Sequence, residues 1–208
     1  GKSTLIHLIP RFYDVSDGRI LVNGIDISMI SQEELRKKIG LVPQSVLLFS
    51  GTVAENIRYG KQDATDEEVI HAAEVAQASD FIAEMPTGFE TEIAQGGTNL
   101  SGGQKQRISI ARALVRKPEI YIFDDSFSAL DFKTDSLLRK KLKQETKDDA
   151  VIIVAQRVST VLDADCILVL EEGRLAGKGS HKELMNSCEI YREIVASQLS
   201  EEEIRKYE

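Results

Sequence analysis

Tryptophan is absent from the 208 residues, and cysteine (2), histidine (3), methionine (3) and proline (4) are all scarce. Cys166 and Cys188 lie far apart at no metal-binding spacing, which excludes a disulfide framework or a cysteine-built zinc site as the organising feature. They read as two isolated thiols in a reducing compartment. His7, His71 and His181 form no cluster, and each reads as structural. No apolar run approaches the roughly 18 residues that span a bilayer, and no secretory leader pattern is present. A link to a membrane would have to come from sequence outside these residues or from a partner. Basic excess is lacking too: Lys and Arg number 26 against 34 Asp and Glu, a net charge of -8. That disfavours nucleic acid as the partner, which asks for a basic face. It leaves nucleotide binding open, because a few local donors suffice for that.

Apolar residues make up 42% and charged residues 29%, the balance of a globular chain with a real core. Thr4 to Ile9, closed by Pro10, reads as a first helix. Arg19 to Val22 reads as a strand entering an Asn23-Gly24 turn. Ser31 to Glu34 has capping-box form, which predicts a helix over Gln32 to Lys38, followed by a strand from Ile39 to Val42. From 52 to 117 the pattern turns helical: a capping box at Thr65-Glu68, one helix from Glu67 to Met85, a Gly-rich loop from Gly88 to Asn99, and a helix from Ser101 to Arg116. Strands then return at Ile120 to Phe123, Ala150 to Ala155 and Cys166 to Leu170, with a helix at Lys133 to Thr146. Apolar strands spaced by helices imply an α/β fold with a mostly parallel sheet covered on both faces. Residues 1–51 and 118–208 form the expected core, and 52–117 the inserted helical part. Gly177, Gly179 and His181 read as a turn before a helix from Lys182, and Ser200 to Glu208 as a solvated helix end.

Three motifs carry chemistry. Gly1-Lys2-Ser3-Thr4 matches the end of the Walker A phosphate loop, in which Lys reaches the β- and γ-phosphates and the Ser hydroxyl takes Mg²⁺. Alone it stands even with a simple terminal turn. Ile120 to Asp125 is an apolar strand ending in two acids, at the sheet edge where α/β folds bind ligands. Alone, paired acids after a strand are more often a solvated turn. Leu100-Ser101-Gly102-Gly103-Gln104 opens a helix with Ser101 as N-cap and two glycines at its positive end, an anion-receiving surface.

Together with Gln44 and Ser128-Ala129-Leu130-Asp131, these motifs resemble the ATP-binding cassette (ABC) ATPases, over essentially the whole chain. The resemblance implies a P-loop NTPase core with an inserted helical subdomain carrying the signature motif, an ATP and Mg²⁺ requirement, and ATPase activity. Gly1, Lys2, Ser3 and Thr4 would hold the phosphates. Ser3, Gln44 and Asp124 would serve the metal. Asp125, Gln156 and Gln44 would be catalytic. Ser101 to Gln104 would contact the ATP of a second ABC subunit in a head-to-tail dimer, and Asp131 would lie between the two sites. Gln44 would also link the site to a transmembrane domain, expected upstream in the same polypeptide, at the cytoplasmic face of the membrane.

The stretch Pro43 to Ile57 and the Gly88 to Ile93 stretch are similar to exporter cassettes. Exporters usually follow the latter with a glycine, an acid and an arginine, where this chain has Ala94-Gln95-Gly96-Gly97. Importer motors and soluble ABC ATPases acting on nucleic acid are the other readings. Two more departures fall at the reaction centre. The family usually has Glu at 125 and His at 156; this chain has Asp125 and Gln156. The expectation is a slow or degenerate site, paired in a heterodimer with a competent one. The chain opens inside the phosphate loop, so the isolated 208 residues are expected to bind nucleotide weakly or not at all.

Overall fold

The computed structural model describes residues 1–200 and Glu202. The helix end expected over 200–208 falls, Ser200 and Glu202 apart, outside them. Elements follow the order α1 (Lys2–His7), β1 (Leu21–Val22), β2 (Ile25–Asp26), α2 (Gln32–Lys37), β3 (Ile39–Val42), β4 (Gly51–Thr52), α3 (Val53–Arg58), α4 (Asp66–Val75) and α5 (Ser79–Ala83). Then come β5 (Glu92–Ile93), α6 (Gly102–Leu114), β6 (Ile120–Asp124), α7 (Phe132–Glu145), β7 (Ala150–Val154), β8 (Ile167–Glu171), β9 (Arg174–Gly179), α8 (His181–Ser187) and α9 (Glu189–Gln198).

The centre is a parallel sheet in the order β3-β6-β7. Successive side chains of β6 point to opposite faces. Tyr121 and Phe123 enter one core with Val42, Ile57, Ile108 and Ile110, against which α3, α4 and α6 pack. Ile122 enters the other with Ile6, Leu35, Ile39 and Val154, under α1 and α2. A separate cluster holds β8 and β9 against α8 and α9 through Val169, Leu184, Tyr191 and Val195. Burying side chains such as Phe123 and Ile122, both fully inaccessible, contributes about 1.5–3 kcal/mol each.

Four local expectations change. The single helix over Glu67 to Met85 is two. Gln77 takes φ 58°, the Ala78 N–H bonds Ala73 O at 2.8 Å and the Gln77 N–H bonds Glu74 O at 3.1 Å. That is a Schellman stop built on a non-glycine residue, so no glycine announced it. The Gly88 to Asn99 loop contains β5, which pairs antiparallel with β4. The strand expected at Cys166 to Leu170 runs from Ile167 to Glu171 and joins no parallel sheet; it forms an antiparallel hairpin with β9 around the Glu172-Gly173 turn. Gly177 and Gly179 lie inside β9 rather than in a turn, and α8 starts at His181 on a Ser180-Glu183 capping box.

Candidate functional site

The parallel register gathers the site. Val42 lies beside Phe123, and Asp124 beside Val154. The residues that leave these three carboxyl ends are therefore neighbours: Gln44, Asp125 and Gln156. The Gln44 side chain donates its Nε2–H to Asp125 Oδ2 at 3.1 Å, and Gln156 Nε2–H donates to the same oxygen at 2.6 Å. Asp125 is held from its backbone as well. Its N–H bonds Val154 O at 2.9 Å, its carbonyl accepts the Ser128 hydroxyl at 2.9 Å, and its φ is 49°. A left-handed conformation suits Asp better than most side chains.

Beside this group, α1 runs over β6 and brings Ser3 and His7, one helical turn apart, onto Asp124. Ser3 Oγ donates to Asp124 Oδ1 at 2.9 Å, and His7 Nε2 sits 3.6 Å from Oδ2. Asp124 is 4% exposed. Gly1, Lys2 and Thr4 are exposed at the start of α1, with Gly1 as its N-cap.

The signature residues stand elsewhere. Ser101 Oγ accepts the Gln104 N–H at 3.2 Å and Gln104 Oε1 accepts the Ser101 N–H at 2.9 Å, a closed capping box on α6. It leaves the Gly102 and Gly103 N–H groups, which have no intrahelical acceptor, at the positive helix end. Gly102 faces open space. A Cβ on Gly103 would come within 3.2 Å of Ala129 O, so that glycine seats the helix start against the 128–131 loop. Among the described residues no hydrogen bond joins Ser101 to Gln104 with Lys2, Ser3, Asp124 or Asp125. Asp131 caps α7, accepting from the Thr134 N–H at 3.0 Å and hydroxyl at 2.6 Å. Those two bonds hold its carboxyl below the usual carboxylate range.

The family model described as "ABC transporter" matches residues 1–128, more than half of the chain. The chain belongs to the ABC transporter ATP-binding family. An uncharacterized ABC transporter ATP-binding protein of Mycobacterium tuberculosis is 48% identical over 201 residues, 95% of this chain and 34% of its own. A Staphylococcus aureus protein named for multidrug export as an ATP-binding/permease protein is 48% identical over 198 residues, again 95% and 34%. The solved structure of a bacterial Atm1-family ABC exporter with ATP bound superposes with a TM-score of 0.93 at 45% identity, covering 97% of this chain and 35% of that one. The ABC chain thus spans about a third of the length of the relatives it matches. Its fold is that of the P-loop NTPase, an α/β core with a parallel sheet and a helical part bearing the signature.

The oxygen set of the ABC chain fits a hard divalent cation. The Ser3 hydroxyl and the Asp124 carboxylate already touch, and Gln44 ends in a carboxamide bonded to the next residue, Asp125. Mg²⁺ uses one or two carboxylates plus phosphate oxygens and water, not a dedicated protein cage.

Two residues that contact this group escaped the sequence reading. His7, read as structural, faces Asp124; the i, i+4 spacing from Ser3 was the available signal. Gln198 of α9 bonds the Gln156 carbonyl and the Val158 N–H; no local pattern marks it. Arg107 and Arg112 of α6, and Arg116 just beyond it, bond backbone carbonyls. Arg107 reaches Gln77 O at 2.7 Å, Arg116 reaches Arg36 O at 2.7 Å, and Arg112 reaches Asn56 O at 2.9 Å and Leu47 O at 3.0 Å. Arg112 also lies over the stacked, partly exposed rings of Phe49 and Tyr59, whose centroids are 4.3 Å apart.

Proposed function

We propose that this chain is the ATP-binding and ATP-hydrolysing motor of an ABC exporter, with 1–51 and 118–208 as its α/β core and 52–117 as its helical arm. The observation that carries this is the convergence of Gln44, Asp125 and Gln156 beside the Ser3–Asp124 contact, at the carboxyl edge of the parallel sheet. In this reading Gly1 to Thr4 hold the β- and γ-phosphates through main-chain N–H groups and Lys2. Ser3, Asp124 and Gln44 hold Mg²⁺, which would supply charge neutralisation on the phosphate oxygens when bound. Asp125 orients the attacking water and takes its proton. Ser101 to Gln104 complete the site of a second ABC subunit in a head-to-tail dimer. Catalysis of this kind is mostly positioning and electrostatics.

The site turns over slowly. Asp125 is one methylene shorter than the family glutamate, and a misplacement of about 1 Å costs on the order of 100-fold. Gln156 donates a hydrogen bond but cannot take up the proton and positive charge that a histidine can. The partner subunit in this reading supplies a competent site, which makes the assembly a heterodimer. The Gln44 region, with the exposed Leu47, Phe49 and Tyr59, passes the closing movement to a transmembrane domain at the cytoplasmic face of the membrane. No helix among the described residues is long and apolar enough to cross a membrane.

The test replaces Asp125→Glu and Gln156→His together in the full-length transporter. ATP turnover is expected to rise at least tenfold. If it does not rise, and Asp125→Asn abolishes it, the site is an ordinary working one and the degenerate-site reading fails.

A further inference from the structure

Asp125 Oδ2 receives two carboxamides at once, from Gln44 at 3.1 Å and Gln156 at 2.6 Å. A carboxylate oxygen accepts and cannot donate. Each glutamine is therefore compelled to present its NH₂ to Asp125 and to turn its oxygen away. An amide without such a partner is free to sit either way round. Asp125 itself has little freedom: it is 9% exposed, and its N–H and carbonyl are tied to Val154 and Ser128.

We infer that Asp125 is a positioning residue as well as the proposed base: its carboxylate fixes which way round the Gln44 carboxamide sits, so that oxygen, not nitrogen, is the end left to ligate a divalent cation. A flipped Gln44 would offer two N–H donors to that cation and repel it. This role requires an acceptor at position 125 but not a negative charge, which separates it from proton transfer. The inference rests on the reading of Gln44 as a metal-site residue given above. Partners that orient a ligand commonly govern metal affinity by about 10–100-fold.

The experiment is a Mn²⁺ titration followed by electron paramagnetic resonance on the full-length protein, saturated with a non-hydrolysable ATP analogue. Four variants are compared with the parent: Gln44→Ala, Asp125→Gly, Asp125→Asn, and Gln44→Ala with Asp125→Gly. Gly and Asn both tolerate the left-handed backbone at this position, and unfolding midpoints verify that each folds. Gln44→Ala and Asp125→Gly are each expected to weaken Mn²⁺ binding about tenfold or more. The double variant should be no weaker than either single one, because both remove the same contact. Asp125→Asn keeps an acceptor oxygen and should retain parent-like binding. Parent-like binding in Asp125→Gly, with Gln44→Ala weakened, overturns the inference alone. Asp125→Asn as weak as Asp125→Gly also overturns it, since charge would then be the cause. Parent-like binding in Gln44→Ala overturns the metal-site reading of Gln44, and the inference with it.

Discussion

Gln198 holds Gln156 from behind. The Gln198 side-chain N–H donates to the Gln156 carbonyl at 2.9 Å, and its oxygen accepts the Val158 N–H at 2.8 Å. One amide near the end of α9 thus satisfies two main-chain groups on either side of Arg157. It ties the segment that carries Gln156 to the β8–β9–α8–α9 cluster. The Gln156 side chain, in turn, is what reaches Asp125.

Replacing Gln198→Ala should release this segment. Hydrogen exchange at Val158 is expected to accelerate, and ATP turnover at the Asp125 site, read with the partner site inactivated, to fall several-fold while nucleotide affinity holds. Amide-resolved exchange and steady-state kinetics check the two together. Unchanged exchange at Val158 would show that Gln198 restrains nothing.

The site was legible where its residues follow strands. Asp124 and Asp125 end an apolar run, and the parallel register that brings Gln44 and Gln156 beside them follows from strands of similar length packed under helices. The signature was legible because Ser101 and Gln104 cap the helix that they begin. What the sequence hid depends on long-range closure. Gln77 stops a helix through a left-handed turn without the glycine that usually marks one, and Arg107, from 30 residues away, bonds its carbonyl. Gln198 lies 42 residues from Gln156 and belongs to an unremarkable helix. The pairing partner of β8 depended on which neighbour its free edge met, and alternation alone cannot choose between a parallel sheet and a hairpin.

Gly60 allows α3 and α6 to approach. A Cβ at this position would lie 1.9 Å from Arg112 O and 3.0 Å from Val115 Cγ1. The first obstacle is helix backbone, which cannot swing aside like a side-chain tip. Gly60→Ala is therefore expected to destabilise the fold by about 1–3 kcal/mol, the usual cost of overpacking. Chemical denaturation measures it. A midpoint equal to the parent would mean that the two helices separate without penalty.

Arg112 joins the same two helices by planar donation. It bonds the Asn56 carbonyl and side-chain oxygen at 2.9 and 3.0 Å and Leu47 O at 3.0 Å. Burial lowers its pKa, yet a guanidinium stays charged. Lysine keeps the charge and loses the fork. Arg112→Lys is expected to cost about 1.5–3 kcal/mol, the range for a lost charged hydrogen bond. It should also disorder the Phe49–Tyr59 stack, which urea titration and tyrosine fluorescence would register separately.

The β8–β9–α8–α9 cluster carries a pH dependence of its own. His181 is buried and shares a 2.8 Å hydrogen bond with the Tyr191 hydroxyl. Burial pushes the His181 pKa below its ordinary 6.5 and the Tyr191 hydroxyl up to about 12. The unfolded chain therefore binds a proton at His181 at a higher pH than the folded chain does. Where the unfolded state holds more protons, stability rises with pH. The contribution of His181 is whole above pH 6.5 and is lost as pH falls through the lower, folded pKa. His181→Phe removes the titrating ring and the bond to Tyr191. The variant should be less stable than the parent at pH 8 yet lose less stability between pH 7 and 5.5, before most carboxylates protonate. Thermal unfolding midpoints across that interval decide it; a variant slope as steep as the parent's would assign the acid loss to other groups.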